Sequence, residues 1–312
     1  MNTQSKTIVT GGAGFIGSHL AEELVRRGYQ VTILDDLSTS KMENITGILK
    51  NNDVEFVQGS ITNLLLLQEL FQGIDYVFHQ AAMPSVPRSI DNPLASHEAN
   101  MTGTLNVLLA ARDNGVKKVI YASSSSVYGD TPTLPKKEDM TPNPLSPYAV
   151  DKLASEYYCQ VFGHVYGLPT VCLRYFNVYG PRQDPDSQYA AVVPKFITCA
   201  HQDYAPLIFG DGEQTRDFTF IKDVVQANIL AAESDAYGVF NISRGENITI
   251  NQLAELIIKL VGNKVEPTYQ EPRPGDILHS LADISKAKTF GYEPKYSLEA
   301  GLAETIGWFN DR

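Results

Sequence analysis

Two side chains suited to proton transfer stand four residues apart in the segment SPYAVDKLASEYY, namely Tyr148 and Lys152. At this spacing they share one face of a helix. A phenol with a pKa near ~10 is a poor base at neutral pH, but a neighbouring ammonium favours the phenolate and lowers that pKa. Because such pairs also arise by chance on helix surfaces, the interpretation depends on what other segments contribute.

A run of four serines lies in YASSSSVYGD, between Tyr121 and Asp130. Serine runs are typical of loops, but this one directly follows VKKVIYA, which is typical of a buried strand. Parallel sheets bind ligands at the carboxyl ends of their strands. The pattern therefore predicts hydroxyl groups at the edge of a ligand site.

The elements that would position these groups follow from hydropathy. Short apolar runs alternate with helical patterns through the first 175 residues, which indicates βαβ units and a parallel sheet. After Asn177 prolines become frequent and the pattern loosens. We predict a doubly wound parallel sheet of the α/β class within residues 1–176 and a smaller mixed α/β lobe within 177–312. The chain is expected to cross back to the first unit around 214–234.

A glycine-rich turn, TGGAGFIGSH, joins the first predicted strand to the first helix. Gly11, Gly14 and Gly17 suit a tight turn, close approach to a pyrophosphate and close packing of helix on strand, as in Rossmann-type dinucleotide sites. Asp35 ends the second strand, where a carboxylate accepts the adenosine ribose hydroxyls and repels a 2′-phosphate. The combination predicts NAD rather than NADP.

Composition excludes several classes. The net charge of −11 disfavours nucleic acid and anionic membrane surfaces as partners. There is no apolar run of membrane-spanning length, and the N-terminus has no signal-peptide pattern. The three cysteines lack CxxC spacing, so we expect reduced thiols, no metal site and a cytoplasmic location.

The motifs together resemble an extended short-chain dehydrogenase/reductase of the UDP-hexose 4-epimerase branch, which includes UDP-N-acetylglucosamine 4-epimerases. The resemblance rests on motifs that occur in the family's order over nearly the whole chain: TGGAGFIGSH, LDDLSTS, HQAA, EANMTGTLNVL, SSSSVYG, PYAVDK, LRYFNVYGPRQ, TRDFTFIKD and RPGD. It implies NAD held as a prosthetic group, a UDP-sugar substrate, and a homodimer joined by helices that include the one bearing Tyr148.

The resemblance also implies a mechanism. Tyr148 takes the proton of the sugar 4-hydroxyl, Ser124 holds or relays it, and Lys152 holds the nicotinamide ribose. Hydride leaves C4, the 4-keto sugar turns over within the site, and hydride returns to the opposite face. The catalytic residues are then Ser124, Tyr148 and Lys152.

Binding residues carry over position by position from the family. The implied cofactor contacts are Gly11, Gly14, Phe15, Ile16, Gly17, Asp35, Asp36, Ser60, Ile61, Gln80, Ala81, Ala82, Asn100, Ser123, Tyr148, Lys152 and Tyr175. The implied substrate contacts are Ser85, Ser124, Ser125, Ser126, Tyr148, Asn177, Val192, Phe209, Arg216, Arg273, Asp276 and Ser280.

Three positions help to choose among the family's reactions. Related dehydratases carry an Asp–Glu pair, and decarboxylases a Glu, where this chain has Ser125 and Ser126, so elimination and decarboxylation are disfavoured. Ser280 stands where a bulky tyrosine would restrict the sugar pocket. A serine there predicts that N-acetylated UDP-hexoses are accepted beside the plain ones.

Two departures from the family predict looser NAD binding. Ser60 stands where many relatives have an aspartate that binds adenine. The segment MPSVPR stands where some relatives have a lysine that helps to hold NAD, and Arg88 lies farther along the chain.

Two alternative functions stay open. Epimerisation of UDP-glucuronate would need a cation near the sugar C6, for which Arg88 and Arg182 are unplaced candidates. A non-catalytic NAD-binding regulator would typically lack the Tyr148/Lys152 pair.

Overall fold

The computed structural model describes residues 4–185, 191–272 and 277–311. The predicted substrate residues Arg273 and Asp276 lie outside the described residues. The described strands are β1 (Lys6–Thr10), β2 (Gln30–Asp35), β3 (Val54–Gln58), β4 (Tyr76–His79), β5 (Lys118–Ser124), β6 (Thr170–Tyr175), β7 (Val178–Tyr179), β8 (Leu207–Phe209), β9 (Thr215–Asp217), β10 (Thr219–Phe220), β11 (Gly238–Ile242), β12 (Asn247–Thr249) and β13 (Thr268–Gln270).

Helices alternate with these strands. The described α-helices are α1 (Phe15–Arg26), α2 (Leu64–Leu70), α3 (Val86–Asp91), α4 (Pro93–His97), α5 (Gly103–Asp113), α6 (Pro147–Tyr166), α7 (Val192–His201), α8 (Ile221–Glu233), α9 (Ile250–Val261), α10 (Ser285–Lys288) and α11 (Leu298–Asn310). A π-helical stretch, Glu98–Thr102, joins α4 to α5, and a 3₁₀ turn, Ser125–Tyr128, follows β5.

One parallel sheet organises the fold. Its strand order is β11-β6-β5-β4-β1-β2-β3, with every described pairing parallel. Side chains of successive strand residues point to opposite faces of the sheet: Ile8 packs into the buried cluster on one face and Val9 into the cluster on the other. Helices cover both faces, so the central strands β1, β4, β5 and β6 are buried along most of their length. The predicted doubly wound α/β fold is confirmed.

The direction of winding reverses beside β1. The chain runs from β1 outward to β2 and β3, then returns to place β4 on the other side of β1. Such a reversal opens a crevice at the carboxyl ends of the two central strands, where ligands of open α/β sheets bind. The glycine-rich turn follows β1, and Gln80 follows β4.

The part of the chain after residue 176 contributes both to the large sheet and to the small strand pairs outside it. Helix α8 packs against α1, and β11 pairs with β6 as an edge strand of the large sheet. The remaining strands form two-stranded pairs, β7 with β10, β9 with β12 and β8 with β13. The return of the chain thus extends through residue 242, while a boundary at residue 176 stays a prediction. None of the described helices is long and apolar enough to cross a membrane.

Candidate active site

The glycine-rich turn is shaped by close backbone contacts. Gly11 has φ +68°, and a Cβ there would lie 2.6 Å from the Ala81 nitrogen. A Cβ on Gly17 would lie 2.1 Å from the Gly11 carbonyl oxygen. Gly14, which precedes α1, gives that helix no side-chain cap, so its first N–H groups face the crevice end of β1. This cradle fits a pyrophosphate, which helix N-termini favour through their free N–H groups and dipole.

The Asp35 side chain, predicted to bind the adenosine ribose, makes three hydrogen bonds within the chain. Its side chain accepts hydrogen bonds from the Ala13 nitrogen at 2.9 Å, the Leu37 nitrogen at 2.9 Å and the Ser40 hydroxyl at 2.6 Å. The residue is 7% exposed. Asp35 therefore ties the glycine-rich turn to the loop after β2, and the neighbouring Asp36 is the exposed carboxylate of the two.

A buried amide supports two of the predicted cofactor residues. Asn228 of α8 accepts a hydrogen bond from the Gln80 amide at 3.0 Å, and its own amide donates to the Tyr175 hydroxyl at 2.8 Å. Asn228 is fully buried. Sequence reasoning missed it because nothing in the local pattern of an amphipathic helix marks one internal asparagine as the partner of residues 53 and 148 positions away.

Asn100 lies within the π-helical stretch and acts as a backbone clamp. Its side chain accepts from the Met83 nitrogen at 2.7 Å and donates to the Met83 carbonyl at 3.2 Å. Only 1% of the residue is exposed. Asn100 therefore orders the segment after Ala82, in which Ser85 takes φ 98° and accepts from the Arg88 nitrogen. π-Helical stretches of this kind are frequent at functional sites.

Ser60 and Ile61 also have partners within the chain. The Ser60 hydroxyl lies 2.9 Å from the Thr62 hydroxyl and accepts from the Thr62 nitrogen. Ile61 packs against Gly103, whose added Cβ would lie 2.4 Å from the Ile61 side chain. Both residues thus shape the loop after β3, at the same sheet edge as the glycine-rich turn.

The predicted catalytic side chains lie together at the end of β5. Tyr148 is in the first turn of α6, and Ser124, which ends β5, lies near enough to lower the pKa of the phenol. Lys152 is one helical turn later, buried, with its Nζ 5.7 Å from the Tyr148 ring centroid. That ammonium donates to the Ala122 carbonyl oxygen at 2.8 Å, which fixes α6 against β5.

Burial controls the protonation of this pair. It raises the pKa of Tyr148 to about 12, and the hydrogen bond with Ser124 opposes that rise. Burial lowers the pKa of Lys152 to about 8, against the raising effect of Asp151. In the protein alone, burial therefore outweighs the phenolate stabilisation expected from Lys152. Further positive charge beside the phenol would be needed to bring its pKa toward neutrality.

The neighbouring serines complete the turn. The Ser124 hydroxyl accepts from the Ser126 nitrogen at 3.2 Å. The Ser126 hydroxyl is buried with no partner among the described residues, and Ser125 is half-buried. Ser123 points to the opposite side of β5, where it donates to Glu156. The turn therefore presents hydroxyls, with no carboxylate of its own, beside Tyr148.

A cavity of about 290 Å³ gathers several predicted substrate residues. Its lining includes Asn177, Val192, Phe209 and Arg216. Asn177 takes φ 32° and donates to the Asp217 carbonyl oxygen. The cavity thus brings together an amide, a guanidinium, an aromatic wall and the start of α7.

Ser280 lies next to the Arg216 strand rather than among the described lining residues of that cavity. Its nitrogen donates to the Thr215 carbonyl oxygen at 3.1 Å, and the Arg216 guanidinium donates to the Leu278 carbonyl oxygen.

Arg182, a candidate cation for the sugar C6 carboxylate, donates to Glu22 of α1 at 2.5 Å. It also lines a separate small cavity with Gly14 and Phe15. It belongs to the α1 side of the crevice.

The comparisons with known proteins agree with this geometry. Residues 7–243 match the NAD dependent epimerase/dehydratase family. The chain belongs to this family. The family is NAD-dependent, and solved relatives carry NAD. The predicted NAD dependence is confirmed.

Three solved members of the family cover nearly all of the chain. A UDP-N-acetylglucosamine 4-epimerase from Methanobrevibacter ruminantium is 44% identical, with a TM-score of 0.96 and 99% of each chain covered. A UDP-glucose 4-epimerase from Thermotoga maritima is 41% identical, with a TM-score of 0.94 over 98% of this chain and 99% of that one. A UDP-glucuronic acid 4-epimerase from Bacillus cereus, solved with UDP-glucuronic acid and NAD, is 36% identical, with a TM-score of 0.91 and the same coverage.

Proposed function

We propose that this family member is a UDP-sugar 4-epimerase acting on UDP-hexoses, with NAD as a prosthetic group. The observation that carries the proposal is the grouping of Tyr148, Ser124 and Lys152 at the end of β5, in a turn where Ser125 and Ser126 supply no carboxylate. Epimerisation at C4 needs one base and one hydride acceptor, whereas dehydration and decarboxylation need further acid–base groups.

The residues have distinct roles in this proposal. When bound, NAD would accept the C4 hydride and return it, and its cationic ring would favour the Tyr148 phenolate. Tyr148 takes the proton from the sugar 4-hydroxyl and later gives it back, while Ser124 holds that hydroxyl in line. Lys152, fixed by the Ala122 carbonyl, holds the cofactor ribose and keeps a positive charge near the phenol.

The cavity of about 290 Å³ supports a sugar nucleotide as the substrate. Arg216 suits the diphosphate charge, Asn177 donates to diphosphate or sugar oxygens, and Phe209 walls the base. The resemblance adds Arg273 and Asp276 for the diphosphate and the uridine ribose. Incubation with each UDP-sugar, with product identification and with and without added NAD, tests the proposal. Failure to interconvert any C4 pair would contradict it.

Substrate choice between plain and N-acetylated sugars yields a prediction at Ser280. We expect wild-type protein to epimerise both the UDP-glucose/UDP-galactose and the N-acetylated pair. Ser280→Tyr should cut kcat/KM for the N-acetylated pair by about 10–200-fold relative to the plain pair, because the ring would occupy the space of the acetamido group. Ser280→Ala is the matched small control. Equal losses on both pairs would show that Ser280 does not set this preference.

UDP-glucuronate is the second candidate substrate. It is supported by the Bacillus cereus relative, a UDP-glucuronic acid 4-epimerase. Arg182, one candidate cation for the C6 carboxylate, is paired with Glu22. Including UDP-glucuronate in the same incubation distinguishes the candidates by product.

A homodimer is proposed through α6, whose outer face is apolar. Val150, Tyr157, Val161 and Val165 are each about half exposed, and their spacing places them along one face of the helix. Exposed apolar stripes of this length are typical of interfaces. The dimer would bury the helix that carries Tyr148 on its opposite face.

Charge on that face should prevent association. We expect Tyr157→Glu to convert a dimer to a monomer, because two buried carboxylates would face one another across the two-fold axis. Size-exclusion chromatography with light scattering measures the mass. Tyr204→Glu is the matched control, since Tyr204 is 66% exposed and follows α7 in the later part of the chain. A monomeric wild type would contradict the proposal.

A further inference from the structure

A buried ion pair lies directly behind the serine turn. Arg174 of β6 donates to Glu156 of α6 through Nε at 2.8 Å and through Nη2 at 2.7 Å. Both side chains are nearly inaccessible, at 4% and 1% exposed. The pair is bidentate, which fixes the relative orientation of the two groups as well as their separation.

Glu156 connects this pair to both sides of the proposed catalytic centre. It lies four residues after Lys152 and eight after Tyr148, hence on the same face of α6. The Ser123 hydroxyl donates to Glu156 Oε1, and Ser123 is the residue before Ser124 on β5. One carboxylate therefore holds the end of the strand that presents Ser124 and the helix that presents Tyr148.

Arg174 holds the other end of the serine turn. Its guanidinium carbon lies 4.6 Å from the centroid of the Tyr128 ring, and Tyr128 is the last residue of the 3₁₀ turn. The Tyr128 hydroxyl in turn donates to the buried Asn241 of β11 at 2.7 Å. The segment from Ser123 to Tyr128 is thus held at its first residue by Glu156 and at its last by Arg174.

The energetics of such a pair argue for a geometric role. Removing two charges from water costs several kcal/mol each, and well-packed apolar residues often replace a buried pair without loss of stability. Apolar replacements would not, however, bind the Ser123 hydroxyl or fix its direction. What the ion pair adds over an apolar core is the orientation of the strand end relative to α6.

We propose that the Glu156–Arg174 pair is a positioning element that sets the Ser124–Tyr148 geometry for proton transfer from the sugar 4-hydroxyl. The inference rests on the proposed epimerase function. Neither residue touches the reacting atoms; both act through Ser123, Tyr128 and α6. Displacement of a reacting group by about 1 Å can cost about a hundredfold in rate, so a modest shift of the turn would be visible in kcat.

The test removes both charges together. In Glu156→Leu/Arg174→Met we expect kcat for the best UDP-hexose to fall by about 10–100-fold while KM and bound NAD per subunit stay near wild type. The rising limb of the kcat–pH profile should move to higher pH, because the interaction with Ser124 lowers the Tyr148 pKa and a displaced turn would weaken that interaction. Lys222→Met/Glu304→Leu, which removes an exposed pair 2.7 Å apart, is the control and should change none of these values.

The outcomes separate the inference from the proposed function. A folded double variant with wild-type kcat and pH profile would overturn the positioning role alone. A wild-type protein that epimerises no UDP-sugar would overturn the function, and the inference with it. If the double variant does not fold, Glu156→Asp decides: it keeps the charge but shortens the side chain by one methylene, so a lower kcat at unchanged KM supports the inference, and an unchanged kcat contradicts it.

Discussion

Replacing Tyr148 with Phe should lower kcat for epimerisation by about 10²–10⁴-fold, the range typical of losing a general base. The phenyl ring keeps the volume that packs at the start of α6, while the hydroxyl that would accept the proton and interact with Ser124 is lost. NAD content and thermal stability should stay close to wild type. Product formation measured by separation of the two UDP-sugars gives the effect.

The pH dependence of the wild type provides a second check on Tyr148. Because burial raises its pKa to about 12, the phenolate fraction grows as pH rises, and kcat should rise with it from the acidic side. Lys152, with its pKa lowered to about 8, loses its positive charge above that value, which should end the rise. Tyr204→Phe removes an exposed hydroxyl outside the proposed site and interface and serves as the control. Undiminished epimerisation by Tyr148→Phe would refute the mechanism.

Substituting Gly17 with Ala should remove NAD binding and destabilise the fold. The added Cβ would lie 2.1 Å from the Gly11 carbonyl oxygen and 2.7 Å from the Gly12 Cα, both backbone atoms that cannot move without opening the turn. Overpacking of this kind typically costs about 1–3 kcal/mol in the free energy of unfolding. Displacement of α1 from β1 would also remove the N–H groups that meet the pyrophosphate.

Two measurements on Gly17→Ala separate these effects. NAD released on denaturation reports cofactor content, which should fall to a small fraction of one per chain. Thermal unfolding with and without excess NAD reports stability, and the stabilisation by NAD seen in the wild type should be lost. Gly47→Ala is the matched control, since a Cβ there meets nothing within 4 Å. Wild-type NAD content in Gly17→Ala would contradict the proposed cradle.

Much of the fold and the centre of the site could be predicted because their signals are local. Alternating strand and helix patterns predicted the parallel sheet, and the strand order confirms it. The spacing of Gly11, Gly14 and Gly17 encodes a turn that few other residues can form. The four-residue separation of Tyr148 and Lys152 follows from helix periodicity alone.

Other roles depended on contacts that no local pattern carries. Asp35 was predicted as a ribose ligand, yet its side chain also binds the turn and loop around it. Asn100 was predicted to contact the cofactor, and its amide also clamps the Met83 backbone. In both cases the cofactor role stays a prediction, while the hydrogen bonds within the chain are decided by neighbouring loops.

The sequence by itself thus determined the sheet, the dinucleotide turn and the pairing of Tyr148 with Lys152, because each follows from short-range geometry of the backbone. Only the tertiary structure showed that Asn228 supports Gln80 and Tyr175, and that Glu156 and Arg174 fix the serine turn. These polar groups are buried between elements far apart in the chain. Since a buried polar group must find its partner wherever the fold brings one, that partner is decided by packing and not by sequence spacing.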